Sequence, residues 1–146
     1  MSQRRPARAL TGAAFIDSSA FFALAYSRDT NHPAATAIAR RLHAERWRTF
    51  TSNFVRAEAH ALILNRASHR AADAFLAELR AAGPPTVLRV DETVEEDAQA
   101  LILQYQDKDF TLTDATSFAL MGRLGIAHAF TFDDDFRQYG LLVLSA

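Results

Sequence analysis

The sequence predicts a single α/β domain with a mainly parallel central sheet. Its 146 residues fit one domain and leave no room for two. Short apolar runs alternate with longer stretches of helical periodicity, a pattern typical of parallel strands joined by helices. The 29 alanines and only 5 glycines favour helices in the longer stretches. We expect residues 13–146 to form this domain and residues 1–12, which are polar and basic, to be a flexible leader.

The elements are predicted in chain order from the spacing of apolar residues. Short apolar or alternating runs predict five strands, at 14–16, 47–51, 86–90, 127–132 and 141–144. The stretches between them predict helices at 20–26, 54–65, 69–82, 93–106 and 113–124, and an alanine-rich helix that follows a loop at 29–33 and ends near 45.

Terminating signals support several of these helices. The 69–82 stretch ends at Gly83, which two prolines follow, and such a sequence stops a helix. The 93–106 stretch is amphipathic, with its apolar side chains in one stripe and its glutamates outside that stripe. Gly125 directly follows the 113–124 stretch, and we expect it to be the C-cap.

Charge and cysteine content exclude several classes of protein. A net charge of −1 is not that of a general polyanion binder, so a nucleic acid would be held by a local patch or by bound cations. The absence of cysteine excludes disulfide frameworks, thiol catalysis and iron–sulfur clusters, and fits the cytoplasm, where we expect the protein. The apolar run 13–26 is shorter than the roughly 20 residues that span a bilayer, so we expect no membrane association.

Four acidic residues occupy positions where a solvated charge is not expected. Two follow predicted strands, one opens a helix, and one lies on a helix that is apolar on most faces. They are Asp17, Asp133, Asp114 and Glu58, respectively. Because the carboxyl ends of parallel strands meet at one edge of a sheet, these side chains can converge there. Buried carboxylates must be neutralised, paired or bound to a metal, and an oxygen-only ligand set suits Mg²⁺ or Mn²⁺.

Each acid also has an ordinary structural explanation. Asp17 is a good helix N-cap, and Asp114 is a first-turn acid that the helix dipole favours. Glu58 can pair with Arg56 or with an arginine of a neighbouring helix. The three acids at 133–135 can be turn residues. Caps and turns explain Asp114 and the turn acids well, Asp17 in part, and Glu58 poorly.

Four short segments together resemble the PIN-domain ribonucleases. They are Phe15-Ile16-Asp17-Ser18-Ser19, Ala57-Glu58-Ala59, Leu112-Thr113-Asp114-Ala115-Thr116-Ser117-Phe118 and Phe130-Thr131-Phe132-Asp133. The stretch 105–118, followed by 131–140, is most similar to the small bacterial toxins of the VapC type. The resemblance covers residues 13–144, in order and at suitable spacing, and four such segments are far more specific than one.

The resemblance implies a role for each acid. Asp17 and Asp114 would be direct metal ligands. Glu58 and Asp133 would complete the acidic pocket, through bound water or a second ion. Asp133 is chosen as the fourth acid because it follows Thr131 by two residues, as in the family. Since three aspartates are consecutive here, Asp135 is the alternative.

The resemblance also implies a fold, an activity and partners. It implies a three-layer α/β/α sandwich and an Mg²⁺- or Mn²⁺-dependent endoribonuclease that cleaves tRNA or another structured RNA. Ser18 and Thr131 match the family's hydroxyl positions and would orient ligands or phosphate. Such toxins are held inactive by a cognate antitoxin protein and often form homodimers.

Two other functions stay open. The same acids would serve a metal-dependent phosphatase or a DNA nuclease, because the ion chemistry is shared. In the second alternative, the domain is a catalytically silent PIN-like binding module. The intact set of four acids argues against the silent module.

Overall fold

The computed structural model describes residues 12–146. The leader expected at 1–12 therefore lies, apart from Gly12, outside the described residues. Five strands form one sheet: β1 (Ala13–Ile16), β2 (Arg48–Ser52), β3 (Thr86–Leu88), β4 (His128–Phe130) and β5 (Leu142–Val143). Their order is β3-β2-β1-β4-β5, and every neighbouring pair is parallel, as predicted.

Helices join the strands. They are α1 (Ser18–Ala25), α2 (His32–Ala44), α3 (Asn53–Arg66), α4 (His69–Arg80), α5 (Glu92–Gln104), α6 (Leu112–Leu124) and α7 (Asp135–Tyr139). The chain moves to one edge of the sheet through β3 and then crosses back to β4 and β5. Right-handed connections in both directions place helices on both faces, which gives the expected three-layer α/β/α sandwich. None of the helices described within 12–146 is long and apolar enough to cross a membrane.

The predicted elements lie within two residues of the observed boundaries, with three differences in detail. Helix α2 begins at His32, inside the loop expected at 29–33, because Pro33 is accepted in the first turn of a helix. The strand expected at 127–132 ends at Phe130, since the next residues leave the sheet for the loop described below. Helix α7 was not predicted, because five residues are too few to show apolar periodicity. Gly125 is the C-cap of α6, as expected, with a φ of 69°.

The strand order brings β1 and β4 side by side at the centre of the sheet. The connections that leave these two strands run in opposite directions, and ligands of open α/β sheets bind at such a switch point, beyond the carboxyl ends of the strands. The backbone N–H of Asp17 donates to the carbonyl of Phe130 at 3.0 Å, which joins the two strand ends.

An aromatic cluster behind this edge fixes α7 against α6. The ring of Phe118 stacks on Tyr139 with centroids 4.3 Å apart and meets Phe136 edge to face at 5.0 Å. Phe118 and Phe136 are both fully buried. Since Asp114 lies one turn before Phe118 and Asp135 directly precedes Phe136, this packing holds the two acids at a defined spacing.

Candidate metal centre

Five carboxylates lie around the carboxyl ends of β1 and β4, in two adjoining groups. In the first group, Asp114, Asp133 and Asp135 each offer an oxygen within 4.8 Å of the others. In the second, the hydroxyl of Ser18 donates to Glu58 and lies 3.4 Å from Asp17 Oδ1. The structure thus brings together all four acids that the sequence singled out, and the alternative fourth acid with them.

Asp17 lies immediately after β1 and is only 2% exposed. It occupies the N-cap position of α1, but within the described residues its side chain makes no capping hydrogen bond. Its Oδ2 instead accepts hydrogen bonds from the hydroxyls of Ser19 at 3.0 Å and Thr131 at 2.9 Å. Burial raises the pKa of the Asp17 carboxyl, and the charge of Glu58 adds to this. The helix cap therefore does not account for Asp17.

Asp114 is both a structural cap and a member of the cluster. Its backbone N–H donates to Thr111 Oγ1 at 3.1 Å, and its Oδ2 accepts from the N–H of Thr111 at 3.4 Å, which is a capping box. The structural explanation is thus correct, yet it occupies one carboxylate oxygen only. Asp114 is 3% exposed. Burial first, then the charge of Asp133, raises the pKa of its carboxyl to about 8.

Glu58 is half-buried on α3 and faces α1 across the bond from Ser18. The alternative pairing with Arg56 or with an arginine of a neighbouring helix is not found: among residues 12–146 no ion pair includes Glu58. A glutamate on a mostly apolar helix is thus held by a hydroxyl donor instead of a positive charge. This contact leaves its negative charge uncompensated.

The three consecutive aspartates separate into different environments. Asp133 Oδ1 accepts from the N–H of Asp135 at 3.0 Å, a tight turn that directs both side chains toward Asp114. Asp134 instead accepts from Gln138 Nε2 at 2.9 Å, on the exposed face of α7. Burial raises the pKa of Asp135, and the charge of Asp133 adds to this. The choice between Asp133 and Asp135 as the fourth acid is therefore not exclusive, since both lie in the cluster.

Two hydroxyl residues anticipated from the sequence lie in the site, and a third was missed. Ser18 contacts Glu58, and Thr131 contacts Asp17, as described above. The missed residue is Ser19, whose hydroxyl lies between Asp17 and Thr131. Both serines lie in the first of the four resembling segments, but the resemblance assigned a role to Ser18 only, and the contact of Ser19 with a residue 112 positions away leaves no local signal.

The donor set fits a divalent cation. Among residues 12–146, no lysine, arginine or histidine forms an ion pair with any of the five carboxylates. Adjacent carboxylates repel one another, and a hard cation with oxygen ligands relieves that repulsion. Asp17, Glu58, Asp114, Asp133 and Asp135 offer oxygen ligands only, which suits Mg²⁺ or Mn²⁺.

A separate cleft of about 960 Å³ lies between α2 and α4. Its lining is largely apolar and includes Leu42, Trp47 and Phe75. None of the five carboxylates lines this cleft, so the cleft and the candidate metal centre are different places.

The raised pKa of Asp114 predicts how stability depends on pH in the absence of metal. The folded state binds this proton more tightly than the unfolded chain does, because the pKa of the Asp114 carboxyl has its ordinary value of 3.8 in the unfolded chain. The stabilisation is therefore complete below pH 3.8 and is lost as the pH rises to about 8. We therefore expect the free energy of unfolding of the wild type in EDTA to fall over this pH range. In Asp114→Asn the fall should be smaller, and at pH 8 this variant should be more stable than the wild type.

Urea unfolding in EDTA at several pH values measures this effect. Asp107→Asn is the matched control, because the Asp107 side chain is 78% exposed and belongs to neither group of carboxylates. Equal pH dependence of unfolding in wild type and Asp114→Asn would contradict the assignment of the raised pKa to Asp114.

Comparisons with known proteins bear on this site. The family model of the PIN domain matches residues 14–142. The 23S rRNA-specific endonuclease VapC20 of Mycobacterium tuberculosis, in strains CDC 1551 and H37Rv, is 35% identical over 129 residues, which cover 88% of this chain and 95% of that protein. The crystal structure of VapC20, described as a sarcin-ricin loop cleaving toxin, has a TM-score of 0.82 at 32% identity and covers 91% of this chain and 99% of that one.

Proposed function

This chain belongs to the PIN-domain family, and from that membership we propose that it is a metal-dependent endoribonuclease of the VapC toxin type, acting on a structured ribosomal RNA. The observation that carries the proposal is the group of five carboxylates without a positive partner in the described residues, at the switch point of the sheet. A structural role requires no such concentration of uncompensated charge.

We assign the carboxylates the following roles. Asp17 and Asp114, the two most buried acids, would hold a Mg²⁺ or Mn²⁺ ion directly. Glu58, Asp133 and Asp135 would complete the site through water or a second ion. A divalent cation held there supplies two effects: it makes water more acidic and offsets negative charge on the phosphodiester during hydrolysis.

The hydroxyl residues keep these acids in place. Ser18 donates to Glu58 and so holds the α3 acid against the start of α1. Thr131 donates to Asp17 and accepts from the N–H of Asp133 at 3.0 Å, so that it joins the β1 and β4 sides of the site. Carboxylates that are already fixed in place bind a cation without reorganising first, which raises the affinity for the cation and keeps its ligands in a defined arrangement.

The proposed substrate is a structured RNA of the large ribosomal subunit. The name of VapC20 gives 23S rRNA as its substrate, and the description of its crystal structure gives the sarcin-ricin loop. Ribosomal RNA belongs to the class expected from the sequence, which was tRNA or another structured RNA, but it is not tRNA. With more than a third of the aligned residues identical, we extend the ribosomal substrate to this chain as the first to test.

The proposed partners and compartment follow the same relationship. The description of VapC20 as a toxin supports a cognate antitoxin that holds this protein inactive. We also propose a homodimer and, because ribosomes are the target, a location in the cytoplasm. Size-exclusion chromatography with light scattering tests the dimer independently of activity.

A cleavage assay with alternative substrates tests the function. Purified protein with Mn²⁺ is offered a synthetic sarcin-ricin hairpin, total tRNA, a DNA hairpin of the same sequence and a phosphate monoester. We expect cleavage of the RNA hairpin only. Cleavage of tRNA alone would refute the ribosomal substrate but keep the nuclease. Hydrolysis confined to DNA or the monoester would favour the rival enzymes, and a folded, antitoxin-free protein inactive on all four would favour the silent module.

A further inference from the structure

The hydroxyl of Ser19 lies at the junction of the two sides of the site. It donates to Asp17 Oδ2 at 3.0 Å and accepts from the backbone N–H of Phe132 at 2.9 Å. Thr131 Oγ1 lies 3.1 Å away. Ser19 is thus the second residue of α1 and also accepts a hydrogen bond from the loop that follows β4.

Counting hydroxyl hydrogens shows what this arrangement does to Asp17. Ser19 and Thr131 each have one hydrogen, and both point to the same oxygen of Asp17, Oδ2. The lone pairs of these two hydroxyls accept backbone N–H groups, of Phe132 and Asp133. The result is that Oδ2 is fully occupied by two donors.

Within residues 12–146, the other oxygen of Asp17, Oδ1, accepts no short hydrogen bond from a side chain. Its contact with Ser18 is long, at 3.4 Å, and the Ser18 hydrogen is directed to Glu58. A carboxylate with one oxygen held by two hydroxyls is oriented so that a ligand can approach its less occupied oxygen. For Asp17 the less occupied oxygen is Oδ1.

The bond from Phe132 has a second effect. Asp133 and Asp135 come from the β4 side of the site, and Asp17 comes from the β1 side. The N–H of Phe132 precedes that of Asp133 by one residue, so its bond to Ser19 ties the loop that carries Asp133 to the start of α1. Together with the contacts of Thr131, this bond holds the two groups of carboxylates at their spacing.

We propose that Ser19 is a positioning residue of the metal site, whose hydroxyl orients the Asp17 carboxylate and holds the Phe132–Asp133 backbone at a fixed distance from it. The inference rests on the proposed function, because it assigns Ser19 a role toward the cation. Nothing in it requires Ser19 to touch the cation or the RNA.

Calorimetric titration of the metal-free protein with Mn²⁺ tests this role without any assay of activity. We expect Ser19→Ala to raise the Mn²⁺ Kd about tenfold, the lower end of what loss of a group that orients a metal ligand costs. Ser19→Thr keeps the hydroxyl, and we expect it to restore most of the affinity. Ser27→Ala is the matched control, since Ser27 is exposed beyond the other end of α1.

A second measurement separates positioning from general destabilisation. In the cleavage assay, Ser19→Ala should need about tenfold more Mn²⁺ for half-maximal rate and keep its KM for RNA. Alanine is a favoured helix residue, so we expect this variant to fold. Ser19→Cys, with only a weak donor, provides a further variant of similar size and should lie between wild type and alanine.

The outcomes distinguish this inference from the proposed function. A wild-type Mn²⁺ Kd for Ser19→Ala, together with loss of binding by Asp114→Asn, would overturn the role of Ser19 and leave the metal site intact. Equal weakening by Ser19→Ala and Ser19→Thr would also overturn it, because packing and not the hydroxyl would then matter. No Mn²⁺ binding by the wild type would refute the proposed function, and the inference with it.

Discussion

Asp114→Asn is expected to reduce RNA cleavage about a thousandfold, the several kcal/mol of transition-state stabilisation that a bound cation supplies. The substitution removes the charge of a buried acid that lies within 4.8 Å of Asp133 and Asp135. An amide oxygen still accepts the hydrogen bond from Thr111 that closes the capping box, so the fold should be retained. Single-turnover cleavage of the RNA hairpin measures the effect.

Asp134→Asn is the matched control for this variant. Asp134 is a neighbour of the cluster in sequence, but its carboxylate bonds to Gln138 on the exposed face of α7. The control has the same change of charge and should cleave as wild type does. Undiminished cleavage by folded Asp114→Asn, or an equal loss in Asp134→Asn, would remove the basis for the assigned site.

Removal of the metal is expected to have an effect of similar size. In EDTA nothing compensates the negative charge that remains on this cluster of carboxylates, and that charge repels the phosphates of the RNA. We expect cleavage to fall about a thousandfold, since the cation supplies both the acidified water and the compensating charge. Dialysis against Mn²⁺ or Mg²⁺ should restore the wild type.

The same add-back separates the roles of metal and protein. Asp114→Asn should remain inactive after Mn²⁺ is returned, because it lacks a ligand, and Asp134→Asn should recover fully. Cleavage that continues in EDTA at the rate seen with Mn²⁺ would contradict a metal-dependent reaction.

Much of the fold is predictable from this sequence because its strands are short apolar runs and its helices carry clear end signals. Gly125 is an example: helix α6 ends where a residue that tolerates positive φ follows it. Helix α7 is the opposite case. Its five residues are held mainly by the long-range packing of Phe136 and Tyr139 on Phe118, which no local pattern reveals.

The same distinction applies to the candidate site. Asp17 is predictable because a single charge in an apolar run is conspicuous, and it lies 2% exposed at the end of β1. Asp114 closes a helix capping box and also belongs to the acidic cluster, so a structural role does not exclude a role in the site. Which of the consecutive aspartates faces the cluster depends on the turn at Asp133, and the spacing of three identical residues does not reveal it.

Ser19 was missed for a related reason. Its significance lies in the hydrogen bond from Phe132 and the proximity of Thr131, and both are distant in sequence. A pattern of neighbouring residues reports local structure well. It reports contacts between separate strand ends only through a family resemblance, and here that resemblance pointed to Ser18 and Thr131.

The most direct test of the metal-dependent nuclease compares binding with cleavage in one Mn²⁺ titration. The Kd of the wild type is measured by calorimetry, and the Mn²⁺ concentration for half-maximal cleavage of the RNA hairpin is measured in the same buffer. We expect the two concentrations to agree, and both binding and cleavage to be lost in Asp114→Asn. Cleavage without Mn²⁺ binding, or full Mn²⁺ binding by Asp114→Asn, would show that the five carboxylates are not the catalytic metal centre.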